Sequence, residues 1–119
     1  MANTFRVVTK SGVSTDSSNP TTLYTTPAST TSIVLALLIS NKHSTSIKAT
    51  VLVSSDTTVA GAGVTNADAH IIKDVSIEEE TSLEIMSGQK YVLATTDVLK
   101  IYADNANLDV VFSFMEITP

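Results

Sequence analysis

The chain has 119 residues, enough for one domain around a single core, with 43% hydrophobic residues, 16% charged residues and a formal net charge of -5. Its seven Lys and Arg residues are scattered from Arg6 to Lys100. Counterion release needs a concentrated basic face, so nucleic acid is not expected as a partner. Cysteine is absent, which excludes disulfides, thiolate metal sites and cysteine nucleophiles.

The first apolar run lies in Thr4 to Lys10, where Phe5, Val7 and Val8 suit a strand or an arm, and Ser11 to Pro20 reads as a loop. Residues 1–20 are accordingly expected to be an N-terminal arm, or a first strand plus loop, ahead of a sandwich domain over 21–119. Thr22 to Thr26 is a short strand closed by Pro27, which cannot donate to a ladder. Ser32 to Ser40, SIVLALLIS, is apolar on both faces and predicts a strand buried from two sides or covered by another chain. Its apolar run is far short of a membrane span, and the N-terminus lacks the apolar region of a signal peptide. A soluble chain, not exported by the general secretory route and not bound to membrane, is the expectation.

After the polar loop Asn41 to Thr45, period-two alternation places Ile47, Ala49, Val51 and Val53 on one face and Lys48, Thr50 and Ser54 on the other, with Leu52 interrupting the polar side. Ser55 to Asp68 has neither period and reads as an exposed loop with room for one helical turn. His70 to Ile77 returns to strand, and Glu78-Glu79-Glu80 breaks it. Leu83 to Met86, Tyr91 to Ala94 and Val98 to Ala103 are then separated by Ser87-Gly88-Gln89-Lys90 and Thr95-Thr96-Asp97, the punctuation of consecutive antiparallel strands. Leu108 to Ile117 closes the chain, with Val110, Phe112 and Phe114 opposing Val111, Ser113 and Met115. The pattern predicts an all-β, antiparallel two-sheet β-sandwich, jelly-roll or Ig-like, of about eight strands.

No constellation carries chemistry. His43 and His70 fall in a loop and at a strand start, without metal-ligand spacing. Asp68, His70 and Asp74 would share a face only within one uninterrupted extended run. Glu78 to Glu80 with Glu84 lacks the oxygen-rich turn that a hard cation needs and reads as a solvated charge run or a guard against edge pairing. No nucleophile elbow occurs, and Gly61-Ala62-Gly63 lacks the third glycine and helix of a phosphate cradle. Neither catalytic, cofactor-binding nor metal-binding residues are assigned.

Several segments look familiar: the N-terminal MANTF, TTLYTTPASTTSIVLALLISN from Thr21 to Asn41, HSTSIKATVLVSS, HIIKDVSI, LEIMSGQKYVLATTDVLKIYA, and the ending Met115-Glu116-Ile117. With them the chain resembles, over nearly its full length, a family of small virion structural proteins of marine tailed phages of the cyanophage kind. It departs from that pattern in the longer connection Thr57 to Asp68. The resemblance implies a β-sandwich serving as capsid decoration, neck or tail component, with no chemistry and no cofactor.

The residues agree with that reading. Ser and Thr are so numerous that the polar surface is hydroxyl rather than ionic, which solubilises poorly unless neighbours cover it. A non-enzymatic virion structural protein is expected, capsid decoration or cement, assembled in the host cytoplasm as a homo-oligomer, a trimer among the options, on major capsid or tail and neck proteins. Phe5, Val7, Leu23, Tyr24 and Leu52 are the expected contact residues, with Phe5 to Val8 as an added strand. The alternative is a carbohydrate- or receptor-binding module of a neck, tail or fibre, using the Thr57 to Asp68 loop with Tyr91 or Tyr102.

Overall fold

A computed structural model describes residues 1–119. It contains nine strands and no helix: β1 (Ala2–Ser11), β2 (Thr21–Thr25), β3 (Thr31–Asn41), β4 (Ile47–Ser54), β5 (Ala69–Ile77), β6 (Ser82–Glu84), β7 (Tyr91–Leu93), β8 (Val98–Ala103) and β9 (Leu108–Thr118). Two antiparallel sheets face each other: a five-stranded sheet ordered β1-β9-β3-β6, with β7 also on β3, and a four-stranded sheet ordered β2-β8-β4-β5.

The pairings nest. If β6 and β7 count as two pieces of one strand position, the first strand pairs with the last, the second with the last but one, and so inward to β4 with β5. That is one long hairpin rolled into two sheets, the jelly-roll topology. Hydrophobic alternation sets the registers. Along β9, Leu108, Val110, Phe112 and Phe114 point between the sheets and are at most 2% exposed, while Val34, Leu37 and Ile39 of β3 do the same. From the other sheet Ile47, Ala49, Val51, Leu99, Ile101 and Ala103 meet them. Phe112 and Phe114 stack with ring centroids 4.6 Å apart, and Tyr24 tilts onto both rings.

The punctuation between Leu83 and Leu93 works differently from a hairpin. β6 pairs with Leu38 to Ser40 and β7 with Ser32 to Val34, both antiparallel to β3, so the two pieces are collinear and do not pair with each other. Residues 85–90 make an excursion opposite the break in β3's ladder. Glu84 closes it: one carboxylate oxygen accepts the Leu37 N–H at 3.0 Å and the Met86 N–H at 2.9 Å. A carboxylate within what reads as a charge run thus satisfies backbone donors that a missing strand would have paired. Residues 55–68 form a loop without a helical turn.

β1 leaves the sandwich at Gly12, whose φ of +85° is a left-handed kink that glycine adopts without penalty. Val13 follows at once into the core, 6% exposed, and Ser14 bridges Tyr102. The ten-residue ladder to β9, from Ala2 opposite Thr118 to Ser11 opposite Asp109, makes β1 an edge strand of the five-stranded sheet.

Candidate assembly surface

Alternation that buries one side of β9 turns Asp109, Val111, Ser113, Met115 and Ile117 outward. β1 registers Asn3, Phe5, Val7 and Thr9 beside them on that side, and β3 registers Thr31, Ile33, Ala36 and Leu38 on the other. A bulge between Val34 and Ala36 turns Leu35 outward as well, where it lines a shallow groove with Phe5, Arg6, Val7, Ser113 and Phe114. The result is an apolar outer face. Phe5 is 73% exposed, Val7 62%, Val92 of β7 65% and Val111 40%, with Ile33, Leu35, Leu38, Met115 and Ile117 half-buried between them. On β1, β9 and β3 the outward charge is Asp109 at one end, already paired with Lys42 at 2.9 Å. Lys42 and Ser11, by hydrogen bonding to it, hold the Asp109 carboxyl below the usual range.

The opposite outer face is polar. Lys48, Thr50 and Ser54 of β4, Lys100 and Tyr102 of β8, and His70 and Ser76 of β5 share it by register. Thr50 is fully buried there because β5 bulges over it, with Asp74 in the left-handed region at φ +50° donating its N–H to the Thr50 hydroxyl at 2.9 Å. This bulge interrupts the extended run that Asp68, His70 and Asp74 would have needed to share a face. Asp68 instead accepts from Ser54, and no three His, Asp or Glu side chains converge on one point. His43 bonds Asn107 in the loop after β3, away from His70 on β5.

Under the β1 edge lies a polar clasp. Glu116, 8% exposed, accepts the Tyr24 hydroxyl at 2.6 Å and pairs with the Arg6 guanidinium, and Ser32 Oγ stands 2.6 Å from the same hydroxyl. Four strands from both sheets meet here. The Tyr24 bond and then Arg6 hold the Glu116 carboxyl below its ordinary range, while burial first and Glu116 next push the Tyr24 phenol up to about 12. A charge so satisfied is structural, since every partner belongs to the chain.

The expected contact residues are distributed accordingly. Phe5 and Val7 stand free on the apolar face. Leu23 is 7% exposed inside the core cluster, and Tyr24 is engaged by the two phenylalanines and the clasp, because a bulge between Thr22 and Tyr24 lets both side chains reach inward. Leu52, also 7% exposed, sits between Lys100 and His70 in the register. The aliphatic stem of a lysine covers such a neighbour while its ammonium stays wet. Tyr91 packs against the core from the five-stranded sheet and Tyr102 belongs to the four-stranded one, where it registers opposite Thr50. Ile33, Leu38, Val111, Met115 and Ile117, which complete the apolar face, were signalled by the doubly apolar β3 and by the outward Val111 and Met115 of β9.

No family model and no curated protein matches this sequence. Solved structures share the fold. One is of Bacillus endospore appendages, disulfide-linked pili, with a TM-score of 0.54 and 11% identity over 98% of this chain and 88% of that one. Another is of the T13 particle of IBDV, an icosahedral virus, with a TM-score of 0.53 and 11% identity over 98% of this chain. The chain spans 31% of that viral chain's length. At such identity the likeness is one of fold. The disulfide linkage named for the pili has no counterpart in these 119 residues, which contain no cysteine. No helix is long and apolar enough to cross a membrane.

Proposed function

We propose that this chain is a non-enzymatic structural subunit of a multi-subunit particle, a virion-surface component of the capsid-decoration or cement kind. The observation that carries the reading is the apolar outer face of the five-stranded sheet. Antiparallel sheets ordinarily pair one packed face with one solvated, polar face, and the four-stranded sheet here follows that rule. An outer face on which Phe5, Val7, Val92 and Val111 remain 40 to 73% exposed is a surface built to be covered. The jelly-roll pairing and its occurrence in a pilus and in a viral particle support the reading, as does the resemblance to small virion proteins of marine tailed phages. Stability without cysteine rests on packing and on burial against neighbours, which are copies of this chain and major capsid, tail or neck proteins.

Immunogold electron microscopy of particles purified from the culture that encodes the chain tests this. Gold arrayed regularly on particle surfaces is the expected result. Particles without label, with the chain confined to the soluble lysate, overturn it.

A further inference from the structure

We infer that the covering partner of the apolar outer face is a second copy of this chain, docked face to face about a twofold axis. The inference rests on the structural reading above and names the partner of that surface.

Three features of the face select a copy of itself. It is self-complementary in shape: Phe5 and Val7 of the edge strand form a ridge, and beside them the small side chain of Ser113 leaves a groove lined also by Leu35, Phe114 and Arg6, the last already paired with Glu116. Under a twofold axis the ridge of each copy enters the groove of the other, the isologous arrangement in which one patch serves both partners. Its charge is self-compatible too. A chain of net charge -5 resists meeting another, but the charges on and beside this face are engaged within the chain, Asp109 by Lys42 at one end, Glu84 of β6 by the Leu37 and Met86 N–H groups, and Arg6 by Glu116, so like faces meet with few free charges. Finally, the area is sufficient. Four strand positions at about 4.8 Å spacing and nine residues at about 3.4 Å rise give a footprint of roughly 590 Å² per copy, about 1,200 Å² for the pair. Specific complexes begin at about that size, and small ones are reversible. The dimer is therefore concentration-dependent, and sheets stacked about 10 Å apart would interdigitate their side chains as the two sheets within each copy do.

The cysteine-free sequence makes the test clean, because one introduced thiol reports one contact. Val111→Cys and Ser113→Cys place it on the apolar face, and Ser76→Cys places it on the outer face of the other sheet. Under mild oxidation of the full chain, the first two form covalent dimers at least about tenfold faster than the third. Sedimentation velocity of the parent chain shows monomer and dimer exchanging with concentration, and Val111→Lys raises the dimer dissociation constant at least about tenfold, 1.4 kcal/mol, with an unchanged circular dichroism spectrum. Ser113→Glu, at a position already polar, is the second variant should Val111→Lys fold poorly. A monomer at every concentration up to about 1 mM, or thiols that cross-link equally from all three positions, overturns the inference. Gold-labelled particles combined with either of those results leave the structural role standing and remove only the twofold pairing.

Discussion

The two sheets spend their outward residues in opposite ways although they share one core. Between Asp109 and Ile117 the five-stranded sheet turns out valine, serine, methionine and isoleucine, and its neighbours add Phe5, Val7, Ile33, Leu35 and Leu38. The four-stranded sheet turns out Lys48, Lys100, His70 and hydroxyls, and the apolar residues that fall there are covered, Leu52 at 7% exposed between a lysine and a histidine and Val98 half-buried opposite Ser54. The inner faces are alike and the outer faces are not. The same hydrophobic burial that folds the chain, about 25 cal/mol per Å² of apolar area, therefore remains unspent on one side. The four-stranded sheet turns a polar face to water, and the five-stranded sheet an apolar one.

The comparison is broken most completely by removing the layer both sheets lean on. Phe112→Ala deletes a fully buried ring stacked on Phe114 and touched by Tyr24, and is expected to cost about 3–5 kcal/mol. Ile101→Ala, its counterpart in the other sheet, is expected to cost about 2–5 kcal/mol. Urea titration of both variants checks that the inner faces are equivalent.

Next in size is the clasp that ties the edge of the apolar sheet to the other sheet. Glu116→Ala leaves Arg6 without its acceptor and the Tyr24 hydroxyl with Ser32 alone, and should cost about 1–3 kcal/mol. The same clasp sets a pH window. Glu116 titrates below its ordinary 4.5 when folded, so its contribution is complete above that value and is lost as pH falls through the folded value. Tyr24 titrates at about 12 rather than 10, so its contribution is complete below pH 10 and is lost as pH rises towards 12. Melting temperatures across pH should fall at both ends, with Glu116→Gln flattening the acid limb and Tyr24→Phe the alkaline one.

A smaller change sharpens the contrast from the polar side. Lys100→Leu moves no buried group, so thermal melting should shift by no more than about 0.5 kcal/mol in stability. It should nonetheless lower solubility by giving the four-stranded sheet an apolar face of its own, and ammonium sulfate precipitation reads that shift.

Much of this was legible in the residues because strand faces are local. Period two along Ile47 to Val53 and along Val110 to Met115 separates inward from outward side chains, and the doubly apolar Ile33 to Ile39 states that both sides of β3 meet something apolar. Partnership is not local. The turn residues between Met86 and Tyr91 look the same whether two strands fold back on each other or, as here, both lie along β3. Arg6 and Glu116 are 110 residues apart and become neighbours only through the first-with-last pairing. A bulge also defeats periodicity: the one at Leu23 carries Leu23 and Tyr24 inward, and the one at Asp74 separates Asp68, His70 and Asp74. The apolar face was thus readable as composition on two strands, and its extent depended on which strands lie side by side.

The smallest effect belongs to the one ion pair on the apolar sheet's outer rim. Lys42 and Asp109 are each nearly half exposed at 46% and 45%, and such a pair in water contributes about 0–1 kcal/mol to folding. Asp109→Asn should therefore leave the urea midpoint almost unmoved. Its effect on association has the opposite character. With the carboxylate gone, Lys42 becomes an unpaired cation at the rim of a face whose other outward charge, Glu84, is held by backbone N–H groups, and in a twofold dimer each copy brings one. Sedimentation of Asp109→Asn should show a dimer weakened at low salt and restored at about 0.5 M salt, where the screening length falls below about 5 Å. Salt-independent association would show that this rim lies outside the contact and would move the covered area toward the β1 and β7 edges.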